Sequence, residues 1–480
     1  MTPLVVGFDL DMTLLDSRAG FSAVLAALSA ETGVALDIEA LTANLGAPLE
    51  HMLAPYFPPD EVADLVDRFR ALYPSLAIDP ATALPGAREA LDAVRRHGGR
   101  AVVITGKYTP NAQLHLDALQ LVTDGLVGKV WGNGKAPVLV EHGASIYVGD
   151  HVHDVTGAKA AGAVSVSVLT GGCTEAELRD AGTDVVLSSL EEFPAWLDGH
   201  VLTTRLAALD ADLRARGSVL VAFSGGADSA FLLAAAVRAL GHENVAAATA
   251  YSDSLPVSER DPARKFAESL GVRVLTPQTH EMDREGYRAN GGDRCYFCKA
   301  ELVETLAPIA ASLKLGFVAT GTNADDAVAG FRPGIRAADE RGAITPLRDA
   351  GLTKAQVREA SRRWGLPTWD KPAAACLSSR IAYGLEVSSH RLARVETAEA
   401  DVRAVLFRAG TDVRDLRVRD LGERASIEID RDALADVGGD PYLETAVLAA
   451  AIAAGFPAAE LDPRGFRSGS LNALLRADPV

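Results

Sequence analysis

Two successive series of short, β-branched runs, alternating with Ala/Leu-rich helical stretches, constrain this chain more than any other feature. The first series is Leu4–Asp9, Ala101–Thr105, Ser145–Asp150 and Val164–Val168. The second is Val219–Phe223, Val245–Tyr251, Val272–Leu275 and Phe317–Thr320. Most runs stop near a Gly, Asp or Thr, and the alternation predicts βαβ units wound into parallel sheets. Between the first run and Ala101, the apolar positions Phe21, Leu25 and Leu28, and later Val62, Leu65 and Phe69, recur at helical spacing. That stretch reads as an inserted helical cap. The expected fold class is α/β, with an N-terminal domain at 1–199 carrying a cap at about 17–90, a second parallel-sheet domain at 200–378, and a small α+β domain at 379–480. The first joint is expected in Pro194–Leu206, and a length of 480 residues suits two or three domains.

Charge and cysteine content exclude several functions. A formal charge of −17 repels a phosphate backbone at long range and argues against RNA or DNA as the substrate. No apolar run approaches the ~18 residues of a membrane helix, and the N-terminus enters a strand pattern without a signal-peptide profile, so no membrane partner and a cytoplasmic location are expected. Four cysteines cannot form a disulfide scaffold, and Cys295-Tyr-Phe-Cys298 has metal or redox spacing. Cys173 has no partner in the sequence and reads as structural.

Phe8-Asp9-Leu10-Asp11-Met12-Thr13 places two carboxylates on one side of a strand end, which calls for Mg²⁺ or a proton-transfer role. Three further strand-end signals follow in order: Thr105, Lys135 in Gly132-Asn133-Gly134-Lys135, and Asp150 with Asp154 in Gly149-Asp150-His151-Val152-His153-Asp154. Together the four segments resemble the haloacid dehalogenase superfamily of phosphatases. The resemblance implies Asp9 as nucleophile, Asp11 as general acid and base, Thr105 and Lys135 as holders of the phosphoryl group, and a Mg²⁺ site from Asp9, Asp11, Asp150 and Asp154. Lys107, near Thr105, competes with Lys135 for its role, and His151 and His153 read as solvated loop histidines.

The strand Val219–Phe223 runs into Ser224-Gly225-Gly226-Ala227-Asp228-Ser229, and an Ala/Leu-rich helix follows. Glycines let backbone N–H groups approach phosphate, and the helix start adds a favourable dipole. No lysine of the GxxxxGK[ST] kind follows, and the segment resembles the PP-loop of enzymes that split ATP between the α- and β-phosphates. By that resemblance Ser224, Gly225, Gly226, Asp228, Ser229, Ser252, Gly321 and Thr322 bind ATP, and the Asp325-Asp326 pair is a Mg²⁺ candidate.

Arg332-Pro333-Gly334, Gly351-Leu352-Thr353-Lys354, Gly365-Leu366-Pro367, the run Asp370-Lys371-Pro372-Ala373-Ala374-Ala375-Cys376-Leu377-Ser378-Ser379-Arg380, and the final Gly465-Phe466-Arg467-Ser468-Gly469-Ser470-Leu471-Asn472 look like the LarE sulfurtransferase family. The resemblance implies ATP-dependent conversion of the carboxylates of pyridinium-3,5-biscarboxylic acid mononucleotide into thiocarboxylates, a step toward the nickel-pincer cofactor of lactate racemase. It also implies a homo-oligomer, a hexamer, and Cys376 as the sulfur-delivering position. Ser379, Arg380, Glu399, Arg417 and Arg419 are carried over as substrate-binding candidates, with a solvated strand face as the bland alternative for Arg417 and Arg419.

The resemblance extends to relatives in which a loop pair such as Cys295 and Cys298, with Cys376, gives three ligands for a [4Fe-4S] cluster with one iron open; the alternative is that Cys376 gives up its own sulfur once and ends as dehydroalanine. A zinc or redox pair and buried thiols are the blander readings. Other functions stay open: a tRNA-thiolating PP-loop enzyme, an amide-forming synthetase, or the same sulfurtransferase with an idle N-terminal module. For an active N-terminal domain, pyrophosphate is the first substrate candidate, with phosphoglycolate close behind.

Overall fold

The computed structural model describes residues 3–43, 45–328, 330, 332–372, 375–467 and 469–471. Ala373, Ala374, Ser468 and Asn472 of the quoted motifs lie outside the described residues. The chain divides into two compact units, Met1–Val201 and Leu202–Val480. The division falls inside a helix, Phe193–Arg216, so the expected joint at Pro194–Leu206 is helical rather than an irregular linker. Pro194 is tolerated because the first turn of a helix leaves its N–H groups unpaired. No described helix is long and apolar enough to cross a membrane.

The first unit is built on six parallel strands in the order Gly125–Val127, Arg100–Ile104, Val5–Phe8, Ile146–Gly149, Val164–Val168, Val185–Leu187. Strand side chains alternate between faces, and both faces are covered here. Val6, Phe8, Ala101 and Val103 pack with Leu91, Leu116 and Phe193 on one face, while Val5, Val102 and Ile104 pack with Leu139 and Ala158 on the other. The cap enters and leaves through a two-stranded stem, Leu15–Asp16 against Thr82–Ala83. Its helices, chiefly Arg18–Thr32 and Val62–Leu76, close a separate core around Phe21, Leu25, Leu28, Phe69 and Tyr73.

The second unit holds four parallel strands in the order Arg273–Leu275, Val245–Ala248, Val219–Ala222, Phe317–Thr320. Val219 and Val221 meet the helices Ala227–Leu240 and Lys354–Arg363 on one face. Leu220 meets Leu306 and Ala310 of the helix Arg294–Ser312 on the other. A further core joins Leu377, Ile381 and Tyr287 to the helix Ser389–Arg408 and to a small sheet. In that sheet Leu416–Asp420 runs antiparallel to Ala425–Ile429, which is parallel to Ala459–Leu461.

Candidate functional site

In the first unit, three adjacent strands deliver the site at their carboxyl ends, where ligands collect in open parallel sheets. Val5–Phe8 leads to Asp9 and Asp11, Arg100–Ile104 to Thr105, and Ile146–Gly149 to Asp150. Lys135 opens the helix Lys135–His142, and Asp154 lies in the first turn of Val152–Ala161. The Lys135 ammonium donates to Asp9 Oδ1 at 2.7 Å, to Asp154 Oδ1 at 2.6 Å and to the Tyr147 hydroxyl at 2.8 Å. Tyr147 donates in turn to the Ile104 carbonyl at 2.7 Å. Gly7 makes this arrangement possible, since a Cβ there would stand 2.7 Å from the Tyr147 ring.

Buried carboxylate oxygens of Asp9, Asp150 and Asp154 lie within 4.8 Å of one another. Anions that close resist ionisation together. Burial first, and then repulsion from Asp154 and Asp11, pushes Asp9 up to about 7 against the pull of Lys135, and burial with Asp154 and Asp9 raises Asp150 strongly. One ammonium among three carboxylates leaves a deficit of positive charge, and an all-oxygen donor set fits Mg²⁺. The Asp11 carboxylate is not brought into this group. Its Oδ1 accepts from Ser17 at 2.5 Å and from Lys107 at 2.6 Å. Burial opposes its ionisation, but Lys107 and Ser17 outweigh burial and lower it. The two lysines are thus sorted by geometry, Lys135 on the Asp9 side and Lys107 on Asp11. Thr105 is buried beside them, and Thr13 donates to Asp150 Oδ1 at 2.9 Å. His151 caps its helix, Nδ1 accepting from the His153 N–H at 3.2 Å, and neither imidazole joins a metal-holding group among the described residues.

In the second unit the turn after Val219–Ala222 holds Gly225 at φ 72°, where a Cβ would also sit 2.9 Å from the Ala263 Cβ. Ser229 ties the turn to its helix, accepting from the Ser224 N–H at 3.3 Å and donating to the Gly226 carbonyl at 3.1 Å. Beside this cradle lies a cavity of about 440 Å³ whose walls include Ser224, Asp228, Ser252, Thr322, Cys298 and Cys376. Gly226, Ser229 and Gly321 line it as well. Four cations that had no assigned role in the sequence reading, Lys299, Lys354, Arg358 and Lys371, also face it. Lys371 donates to the Gly225 carbonyl at 3.0 Å and pairs with Glu259 at 2.6 Å. In an acidic chain with an anion cradle, the need for nearby cations was the available signal. Asp228 is raised by burial against the opposing Lys354, and its Oδ1 is buried without a hydrogen-bond partner. With Asp326 in the same wall, that orphaned oxygen fits a divalent cation beside the phosphates.

Cys295 and Cys298 do not sit in a loop. They open the helix Arg294–Ser312 three residues apart, hence on one face, and Leu306 and Ala310 anchor that helix against the sheet. Arg294 is buried, bonds to the Asn290 side chain, and donates to the Ser378 carbonyl at 2.8 Å, tying the start of this helix to the Cys376 segment. Cys295 is exposed and Cys298 half-buried; burial first, and then the neighbouring Cys376, raises the Cys298 thiol. Among the described residues the three sulfurs do not form a group as tight as the carboxylates.

The five substrate-binding candidates from the sequence have their side chains engaged by the protein. Arg380 pairs with Glu399 at 2.9 Å and donates to the carbonyls of Ala375 and Cys376. Ser379 donates to the Cys376 carbonyl at 2.7 Å, and Glu399 also accepts from the Val418 N–H at 3.1 Å. Arg419 is buried, pairs with Glu428 at 2.8 Å and donates to the Ser379 carbonyl at 3.2 Å. Arg417 lies 5.5 Å from the Phe466 ring centroid, and burial, then Arg380, lowers it. Neither strand arginine is on a solvated face. Together these groups frame the backbone around Cys376.

Residues 6–159 match the family described as haloacid dehalogenase-like hydrolase, and residues 205–380 match that described as NAD synthase. An uncharacterized protein of Synechocystis sp. is 40% identical over 256 residues, which cover 53% of this chain and 92% of that protein. Pyridinium-3,5-bisthiocarboxylic acid mononucleotide synthase of Lactiplantibacillus plantarum is 33% identical over 271 residues, covering 56% of this chain and 95% of that enzyme. A solved haloacid dehalogenase-like hydrolase of Streptococcus pneumoniae is 24% identical, with 41% of this chain and 100% of that one covered at a TM-score of 0.37.

Proposed function

Since this chain belongs to the LarE family of pyridinium-3,5-bisthiocarboxylic acid mononucleotide synthases and carries a haloacid dehalogenase-like hydrolase domain ahead of that portion, we propose that its second unit transfers sulfur to both carboxylates of pyridinium-3,5-biscarboxylic acid mononucleotide at the expense of ATP. The single observation that carries this reading is the cavity where the SGGADS cradle, Lys354, Lys371, Cys298 and Cys376 share one wall.

The steps follow from those side chains. Backbone N–H groups of Ser224–Ser229 and the helix start hold the triphosphate, while Lys354, Arg358 and Lys371 balance the charge on the departing pyrophosphate. A substrate carboxylate oxygen attacks the α-phosphorus, the bond to the β-phosphate oxygen breaks, and pyrophosphate leaves. The acyl-adenylate now has AMP as a leaving group, which a bare carboxylate lacks. Hydrosulfide attacks the acyl carbon, AMP departs, and a thiocarboxylate and one proton remain. Cys295, Cys298 and Cys376 are the ligands proposed for a [4Fe-4S] cluster, which when bound supplies a soft, open iron for an extra sulfide. Arg380, Glu399 and Arg419 hold the Cys376 backbone beside the cradle.

For the first unit the proposed reaction is Mg²⁺-dependent hydrolysis of a phosphate ester. Asp9 attacks phosphorus, the ester P–O bond breaks, and Asp11 supplies the proton of the departing alcohol once the incoming phosphate has drawn Lys107 off its Oδ1, since that ion pair holds the free-site carboxylate ionised. Water then attacks the aspartyl-phosphate with Asp11 as base, which releases phosphate and restores Asp9. Lys135 and the cation proposed at Asp9, Asp150 and Asp154 neutralise the phosphoryl oxygens.

The test of the main reading is AMP formation by the full chain with and without the pyridinium dicarboxylate mononucleotide. AMP should appear only with that substrate, and Asp228→Ala should lower its rate by about 10²-fold or more. Equal AMP formation without the substrate, or at the wild-type rate by Asp228→Ala, would contradict the assignment.

A further inference from the structure

A second space in the first unit bears on which ester is hydrolysed. A cavity of about 280 Å³ begins at Asp11 and Lys107 and extends beneath the cap. Asp9 is not in its wall, so the phosphoryl seat lies beside it and the cavity belongs to the leaving group. Phe21, Phe69 and Tyr73 of the cap and Tyr108 and Trp131 of the sheet domain give it flat, apolar walls. Arg70 and Lys129 also line it, and they approach the Tyr108 ring to 4.8 and 4.9 Å from its centroid.

The cations differ in what already neutralises them. Lys107 is paired with Asp11 at 2.6 Å, and Arg70 with Glu50 and Asp67, each at 3.1 Å. Lys129 has the Tyr108 ring but no carboxylate partner among the described residues. Its backbone takes φ 61°, and its N–H donates to the Lys107 carbonyl at 2.9 Å, which fixes it to the loop that meets Asp11. An ammonium over a ring face, at the rim of an aromatic slot, is a seat for a flat group that carries an anion.

We propose that this hydrolase site takes the phosphomonoester of a flat aromatic or heteroaromatic compound bearing a carboxylate, the ring lying among the aromatic walls and the carboxylate meeting Lys129. The proposal rests on the reading of Asp9 as the phosphatase nucleophile. Pyrophosphate fits poorly, because its leaving group is a bare phosphate that can meet the cations but leaves the five aromatic walls unfilled. Phosphoglycolate supplies the carboxylate but leaves the slot unfilled.

The test uses the full chain with Mg²⁺ and five esters or anhydrides: p-nitrophenyl phosphate, pyrophosphate, phosphoglycolate, nicotinate mononucleotide and nicotinamide mononucleotide. The last two share ring, ribose and phosphate and differ by a carboxylate against a neutral amide. The acid should exceed the amide, pyrophosphate and phosphoglycolate in kcat/KM by about tenfold or more. Lys129→Met should bring the ratio of acid to amide near unity, and Lys129→Arg should retain most of the preference. Hydrolysis of p-nitrophenyl phosphate without preference for the acid over the amide, or with pyrophosphate or phosphoglycolate favoured, would overturn the inference and leave the phosphatase standing. Failure of wild type and Asp9→Asn alike on all five compounds would remove the phosphatase reading, and the inference with it.

Discussion

The two sites both lie at the carboxyl ends of parallel strands, yet their charges are managed in opposite ways. In the first unit both lysines that meet the motif carboxylates are already paired, Lys135 with Asp9 and Asp154 and Lys107 with Asp11. In the second, the cradle presents backbone N–H groups and cations to an open cavity, and the Asp228 Oδ1 has no partner at all. A phosphoryl-transfer site of the first kind exchanges existing ion pairs for substrate, whereas the second is assembled around its nucleotide. The first should therefore tolerate no change of a central charge, and the second should be most sensitive where its cysteine loop is held.

The largest effect that can break this contrast comes from Asp9→Asn. It should lower phosphate-ester hydrolysis by ~10³-fold or more, since the nucleophile is lost, while substrate-dependent AMP formation stays within about twofold. Parallel loss of both activities in a folded variant would mean that the two sites are not independent.

A smaller effect sharpens the second half. Glu399→Gln leaves the buried Arg380 without its carboxylate and should destabilise the protein by about 3 kcal/mol. It should also slow thiocarboxylate formation more than AMP formation, because Arg380 holds the Ala375 and Cys376 carbonyls. Equal slowing of the two steps would place Glu399 in adenylation instead.

The smallest concerns the carboxylate triad and pH. Asp9 is raised from 3.8 to about 7, with Asp150 raised as well. Between those values the folded, metal-free protein holds a proton that the unfolded chain has released, so stability falls as pH rises through the window. Mg²⁺ binds the carboxylates and not the acids. Its stabilisation should therefore grow with pH, the melting shift at pH 8 exceeding that at pH 5.5 by about 2–4 °C for each kcal/mol of difference. A shift that is equal or larger at pH 5.5 would contradict the triad as the metal site.

Legibility followed the same divide. The first site could be read from the chain almost residue by residue because each group is carried by a short motif at a strand end, and hydrophobic runs mark those ends. What escaped were partners supplied by distant chain, such as Tyr147 for Lys135, and Ser17 and Lys107 for Asp11. The short edge strands Gly125–Val127 and Val185–Leu187 escaped too, since three residues carry little periodic signal. In the second unit the cradle was legible because its glycines and the following helix are contiguous. The partners of the arginines were not, because a guanidinium's partner is chosen by tertiary placement: Arg380 pairs with Glu399 and Arg419 with Glu428. The helix beginning at Arg294 was hidden by the Gly291-Gly292-Asp293 segment before it and by the thiols themselves, which read as loop chemistry.

The central claim is the sulfur transfer proposed for the second unit, which a cluster at Cys295, Cys298 and Cys376 would let it repeat, and anaerobic purification followed by iron and acid-labile sulfide analysis, with thiocarboxylates counted per chain, tests it most directly. The account predicts about four irons and four sulfides per chain, lost in Cys295→Ser, with many sulfurs transferred per chain when sulfide is supplied. Iron-free protein that stops after a single sulfur, with Cys376 lighter by the mass of H₂S, would contradict it.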